Sequence, residues 1–305
     1  MEDLLYALMV KSANDAAYVL AEHVGGSVDG FSEMMNNKAK DIGCSSTHFV
    51  NPNGIHDENH YTTANDMYLI AKYAMQNEFF RKLVTTKTYT LHPTNLYPNS
   101  DRSFSTTNAL IDDTSSLFYK YAIGIKTGYT SQAGECLVAE SSRDGLDFIA
   151  VVMDAGVPSK GNRFVDATKL FEYGYDNYTL TKIKEKNMLI ETIEIENGDK
   201  ETRDLDVLID APITVINNKS LNINGLIPDI EYNENLLAPI QKGDLIGKIK
   251  YKVDDIEYTA GLIAGADVIQ KPDYSIYIII SGFILLMIAL VLLRKNKYKR
   301  RKKRR

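Results

Sequence analysis

From Tyr274 to Leu293 the chain runs for twenty residues without a charged side chain (YSIYIIISGFILLMIALVLL), and this stretch constrains the topology of everything before it. As a helix rising about 1.5 Å per residue it reaches roughly 30 Å, the thickness of a bilayer's hydrocarbon core. A buried core helix of that length normally keeps a polar face, so a transmembrane helix is predicted over 274–293. Behind it comes RKNKYKRRKKRR, Arg294 to Arg305, with ten Lys or Arg and no acid. Basic flanks stay cytoplasmic, which predicts a single-pass membrane protein with its body extracytoplasmic and this tail inside, against anionic membrane lipid. With those ten set aside, 25 basic residues face 40 acidic ones, a net charge of −15 for the rest of the chain. So acidic a body argues against nucleic acid as a partner. An exported body also needs a signal, yet MEDLLYALMVKSAND starts acidic and lacks a sufficient apolar stretch. The expectation is that a segment is missing in front of Met1.

Ahead of the apolar run the hydrophobic periodicity changes twice. Up to about Asn77 it is helical: Leu4, Leu5, Leu8 and Met9 fit one face, and Ala16, Ala17, Val19, Leu20 and Val24 form another before Gly25-Gly26. A third helix is predicted over Gly30 to Asp41, an ordered loop over Cys44 to Tyr61, and a helix from Thr63 to Met75 with Asp66 as the acidic partner of its cap. Residues 85 to 114 are polar and aperiodic, as in an excursion over the surface. A strand is predicted over Ala122 to Gly128, and two stronger ones, Glu135 to Ser142 and Leu146 to Asp154, flank an Asp144-Gly145 hairpin signal. A closing helix over Asn162 to Tyr178 has Phe164, Ala167, Leu170 and Phe171 inward. Beyond Thr181 come short strands with turn punctuation, over 188–195, 204–209, 213–216, 245–253 and 256–263. The predicted fold is α+β: an antiparallel sheet flanked by helices over 1–180, a small all-β domain over 181–269, the transmembrane helix over 274–293 and the basic tail over 294–305.

Cys44 and Cys136 lie far apart in no metal or redox spacing; two buried thiols are the plain expectation, and the sequence leaves open whether they pair. His48, His56 and His60 share one loop, but without helical spacing or a carboxylate ligand they do not read as a zinc site.

Two triplets carry chemistry: Ser12-Ala13-Asn14 between two helices, and Lys126-Thr127-Gly128 at the end of a strand. Alone, each is an ordinary helix cap or a solvated strand end. In this order, 114 positions apart, they match the second and third signatures of the penicillin-recognising serine hydrolases. The flanking segments EDLLYALMVKSANDAAYVLAEHVGGSV, STHFVNPNGIHDENHYTTANDMYLIAKYA, GIKTGYTSQAGECLVAESSRDG and APIQKGDLIGKIKY are similar to the D-alanyl-D-alanine carboxypeptidase family, over roughly 1–268.

The resemblance implies a D,D-peptidase/β-lactamase-like fold and a serine-type carboxypeptidase that removes the terminal D-alanine from peptidoglycan stem peptides ending in D-Ala-D-Ala, through an acyl-enzyme. It also implies binding of β-lactam antibiotics wherever the nucleophile is supplied. By the same resemblance Ser12 relays a proton toward the leaving group, and Asn14 binds the substrate amide while orienting the lysine base. Lys126 and Thr127 form a cationic, hydroxyl-bearing floor for the substrate carboxylate. Gly128 lets the substrate backbone lie against the strand, the Tyr129 N–H helps hold the oxyanion, and Arg163 falls near the carboxylate pocket. No metal or organic cofactor is implied.

The family's first signature, S-x-x-K, is not found: no serine of the chain has a lysine three positions on. The chain therefore resembles an N-terminally incomplete peptidase. Hydrolysis by this chain alone is expected to fail, and the sheet is expected to have an open edge and a cavity beside Leu5, Leu8 and Val19. A truncated or mis-started gene product is the simplest expectation, a split enzyme the second. The alternatives are a non-catalytic peptidoglycan-binding scaffold and, nearer in chemistry, a transpeptidase or endopeptidase of the same superfamily.

Overall fold

The computed structural model describes residues 1–99, 102–156 and 161–302, with side chains at all of these except 275, 276, 278 and 294–302. Two compact units divide the chain: 1–180 with 218–220, and 181–217 with 221–305.

The first unit opens with α1 (Glu2–Tyr6), which continues into a five-residue π turn over Ala7–Lys11 and stops at Ser12, held left-handed at φ 63°. A π turn widens the helix by one residue and so rotates its apolar stripe. Tyr6 and Val10 are the buried residues, whereas the predicted face of Leu4, Leu5, Leu8 and Met9 is only half-buried. In α2 (Asn14–Gly25) Ala16, Ala17, Leu20 and Ala21 face the core, and Val19, predicted with them, is 50% exposed. Next is α3 (Val28–Asp41), which starts two residues ahead of its predicted N-terminus because Ser27 Oγ accepts from Gly30 N at 3.0 Å.

The cap of α4 (Ala64–Ala74) is half as predicted: Thr63 Oγ1 accepts from Asp66 N at 3.2 Å. The Asp66 carboxylate turns instead to the preceding loop, accepting from Thr47 Oγ1 at 2.7 Å and Ser46 N at 2.8 Å. Those donors hold the carboxyl below the usual range. After α5 (Glu78–Thr85), β1 (Thr88–Thr90) and β2 (Ser103–Ser105) pair as a short ribbon. The surface excursion predicted for 85–114 is corrected at its end, where Leu110 is 0% exposed, Asn108 and Ile111 are buried, and Thr107 N donates to Val10 O at 3.2 Å. Polar flanks hid this anchor because it contains too few apolar residues to show a period.

The central sheet has the antiparallel order β3 (Ala122–Thr130), β4 (Gly134–Arg143), β5 (Leu146–Val152). The Asp144-Gly145 turn has φ 55° and 82°, as a tight hairpin requires. Register pairs Lys126 with Val138, Thr127 with Leu137, Gly128 with Cys136 and Tyr129 with Glu135. A register shift between Ala122 and Gly124, followed by positive φ at Gly124 and Ile125 (132° and 117°), re-aims β3 just before Lys126. Only glycine suits 124, since a Cβ there would stand 2.3 Å from Val84 O. Among the described strands β5 is bonded on one side only, by β4. Against β4 and β5 packs α6 (Asn162–Asn177). Its buried residues are Phe164, Ala167, Phe171, Gly174 and Tyr175, but Leu170, predicted inward, is 50% exposed, because the 3.6-residue period centres the buried face one position away.

The second unit holds β6 (Tyr178–Lys184, most of it), β7 (Leu189–Glu194), β8 (Asp204–Ile209), β9 (Ile213–Asn218), β10 (Asp229–Tyr232), β11 (Leu245–Val253) and β12 (Ile256–Ala264). Five of them form an antiparallel sheet in the order β10-β11-β12-β8-β7, over a core of Leu205, Val207, Ile209, Ile249 and Leu262. Strands β6 and β10 are additional to those predicted; the alternation of β6 changes phase at Lys182, and β10 is only four residues long.

A helix, α7 (Ser275–Lys302), forms where the membrane span was predicted, and its apolar side chains from Ile279 to Leu293 are exposed. The span itself is not supported: among the described residues no helix is long and apolar enough to cross a membrane. The side chains of the basic tail lie outside the described residues.

Candidate functional site

The two triplets meet. Lys126 Nζ donates to Ser12 Oγ at 2.7 Å and to Thr127 O at 2.8 Å, across 114 positions of sequence. Ser12 is presented by the π turn and its left-handed stop, and Lys126 by the strand beyond the register shift, so both depend on irregular backbone. Because the ammonium is the donor, the Ser12 O–H keeps its own proton for another acceptor. Burial pushes the Lys126 amine down to about 8, and the neighbouring Arg163 charge adds to the effect. Asn14 opens α2 two residues on, exposed to solvent.

Thr127 is buried, and its Oγ1 lies 2.7 Å from Thr107 Oγ1, either hydroxyl being able to donate. When Thr107 donates, the Thr127 proton is free for a carboxylate. Thr107 escaped the sequence reading, because a lone threonine in a polar stretch carries no pattern. Gly128 and Tyr129 are exposed on the strand. A Cβ at Gly128 would meet only Cys136 Cβ, at 3.8 Å, an ordinary contact. Gly128→Ala is therefore expected to leave the unfolding free energy from urea melts within about 0.5 kcal/mol of the parent while weakening any ligand whose backbone lies along β3. Comparing a melt with a ligand titration on the same variant checks this.

Arg163, at the start of α6, donates from Nη1 to Gly128 O at 3.0 Å, which puts it beside the triplet. Its ion partner is Glu135 on β4, with Nε 3.6 Å from Oε1. Glu135 was not singled out in the sequence; the one signal for it was an acid directly before the apolar run Cys136–Ala139.

A cavity of about 480 Å³ opens between residues of β3–β5 and the loop over 49–62. Its lining includes Lys126, Thr127, Phe49, Met67, Leu137 and Val151. The loop is braced by Asn36, whose side chain exchanges two hydrogen bonds with the Phe49 backbone, at 2.8 and 2.7 Å. His60 Nδ1 accepts from Val50 N at 3.3 Å, and burial lowers its pKa. His48 Nδ1 lies 2.6 Å from Asn59 O. Cys44 and Cys136 are unpaired: Cys44 Sγ contacts Asp66 O at 3.6 Å, and Cys136 Sγ contacts Ala133 O at 3.5 Å.

Comparison with known proteins covers both units. Residues 1–157 match the peptidase S11 family model, described as D-alanyl-D-alanine carboxypeptidase, and 178–269 match the C-terminal domain of penicillin-binding protein 5. The chain is 30% identical over 276 residues to the D-alanyl-D-alanine carboxypeptidase DacF of Bacillus subtilis, covering 90% of this chain and 67% of that protein. With DacA of Haemophilus influenzae the identity is 33% over 256 residues, covering 83% of this chain and 61% of the relative. The chain thus spans about two thirds or less of the curated relatives it matches. The crystal structure of penicillin-binding protein 5 from Haemophilus influenzae superposes with a TM-score of 0.61 at 30% identity, covering 88% of this chain and 74% of the other. A peptidoglycan synthesis regulatory factor from Streptococcus pneumoniae shares the fold, with a TM-score of 0.70 at 21% identity and coverage of 88% and 77%. Since the first match takes in more than half of the residues, including both triplets that the Lys126–Ser12 contact joins, the chain belongs to the D-alanyl-D-alanine carboxypeptidase family.

Proposed function

We propose that these residues form the carboxylate-gripping half of a serine D-Ala-D-Ala carboxypeptidase site, which removes the terminal D-alanine of peptidoglycan stem peptides through an acyl-enzyme. The observation that carries this reading is the 2.7 Å contact of Ser12 with Lys126, a residue that lines the cavity. Hydrolysis of a peptide that ends in a free carboxylate needs a cation and hydroxyls at that terminus, and a proton relay beside the scissile amide. Lys126, Thr127 and Arg163 answer the first need and Ser12 the second. Asn14 takes the substrate amide, Gly128 the substrate backbone, and the Tyr129 N–H the oxyanion. The acylated serine and its base come from an S-x-x-K element that these 305 residues do not contain, so the chain by itself is read as inactive. The same lack favours a second reading, a scaffold that binds peptidoglycan termini without cleaving them.

Both readings need carboxylate recognition, which can be tested directly. N-acetyl-D-Ala-D-Ala is expected to bind at least about ten-fold more tightly than its C-terminal amide, the loss of one charge-assisted contact. Equal affinities by calorimetry would refute the assignment of the cleft. Product analysis with a pentapeptide, after an S-x-x-K element is supplied, separates carboxypeptidase from transpeptidase by free D-alanine against cross-linked material.

The extracytoplasmic placement of the body, with membrane lipid around α7 and the tail Arg294–Arg305 inside, rests on the charge pattern of the sequence. Protease added outside intact cells is expected to digest the body and spare the tail; a fully protected body would refute this orientation.

A further inference from the structure

Glu135 is the one acid inside the otherwise apolar stretch from Gly134 to Ala139 of β4, and it is 1% exposed. Its backbone is fixed on both sides, Glu135 N donating to Gly156 O and Ala155 N donating to Glu135 O, each at 2.9 Å. Burying a carboxylate is costly unless a cation faces it, and the cation here is Arg163. The guanidinium is held from three directions. Glu135 Oε1 lies 3.6 Å from Nε, Gly128 O accepts from Nη1 at 3.0 Å, and the Phe164 ring centroid lies 4.8 Å from Cζ. Gly128 uses one of the five N–H donors, so others remain for a ligand. Glu135 Oε2 and Arg163 Nε are buried without hydrogen-bond partners among the described residues. The pair is therefore joined by charge rather than by a bidentate bond, which leaves the guanidinium plane set by Gly128 and Phe164.

We infer that Glu135 is a positioning residue, which holds Arg163 against the end of β3 so that its guanidinium and the Lys126 ammonium act together on one carboxylate. This rests on the reading of β3 as a carboxylate-gripping strand. Two neighbouring cations without a counter-charge would repel each other and drive the arginine toward solvent. With Glu135 in place the floor carries a single net positive charge, which suits a monoanionic peptide terminus. Lys126 shows that the repulsion is felt, since the Arg163 charge contributes to its lowered pKa.

The test uses the whole chain, the Arg163 Nε–Hε resonance in a ¹⁵N spectrum (assigned by its loss in Arg163→Gln), and N-acetyl-D-Ala-D-Ala with its C-terminal amide as ligands. In Glu135→Gln the resonance is expected to shift or broaden, and affinity for the dipeptide to fall about ten-fold with the amide unaffected. In an Arg163→Gln background Glu135→Gln is expected to add nothing, which a merely structural role would not predict. Glu135→Asp keeps the charge one methylene back and is expected to shift the resonance less, so it serves if the Gln variant does not fold. An unmoved resonance in a folded variant, or an equal loss of affinity in the Arg163→Gln background, would overturn the inference. If the parent chain does not distinguish dipeptide from amide, the carboxylate reading fails, and the resonance alone decides whether Glu135 holds Arg163.

Discussion

Incubated with a fluorescent penicillin, the 305-residue chain is expected to stay unlabelled, with acylation on the order of 10⁶ slower than in a complete site. A β-lactam traps the nucleophilic serine of its target as an ester, so labelling needs a serine whose proton can be taken by a nearby base. No serine here is followed three residues later by lysine. Ser12 is the one hydroxyl among the site residues held by an amine, at 2.7 Å from Lys126. That amine, with a pKa of about 8, is mostly protonated at neutral pH and acts as donor rather than base. Ser12 is therefore suited to relay a proton and unsuited to attack. Supplying an S-x-x-K-bearing segment of a relative is expected to restore labelling on the added serine. A stable adduct on the chain alone, mapped by mass spectrometry to Ser12, would make Ser12 and Lys126 a self-sufficient pair and end the relay assignment.

The legible part of this site was its chemistry, and the illegible part was the backbone that aims it. Lys126-Thr127-Gly128 could be placed near a strand end because β-branched and small residues alternate around it, and β8 and β11 were bounded in the same way. Nothing in ALMVK announces a π turn, since such turns arise from tertiary strain and not from propensity. That one irregularity moved the buried face of the first helix to Tyr6 and Val10 and set Ser12 in its left-handed turn. The register shift at Gly124 was equally hidden, because its cause is the close approach of Val84 O from α5. Glu135 and Thr107 were missed for a related reason. Each matters through one partner, Arg163 or Thr127, that lies close in space and at no diagnostic spacing in sequence.

Lys126→Met is expected to move stability and binding in opposite directions. The amine titrates near 8 in the folded chain and near 10.5 when unfolded, so between those values the unfolded chain binds more protons and the parent gains stability as pH rises. Below pH 8 both states carry the charge and its burial cost is fully present, about 3 kcal/mol on that difference. The contacts to Ser12 Oγ and Thr127 O vanish in the variant, and the side chain is only partly shielded, which trims the net gain to about 1–3 kcal/mol at pH 7. Methionine fills a similar volume without a charge, so the variant's urea midpoint is expected to exceed the parent's at pH 7, the difference closing by pH 10. Binding runs the other way. The ammonium's charge-assisted contact is worth about 1.5–3 kcal/mol, so affinity for N-acetyl-D-Ala-D-Ala is expected to drop roughly ten- to hundred-fold. In the parent that affinity should also decline as pH rises through about 8, where the free amine loses its proton, and this decline should be absent in the variant. A variant that is less stable at pH 7 and still prefers the carboxylate to the amide would show that Lys126 is a structural cation, and that the grip on the substrate terminus lies elsewhere.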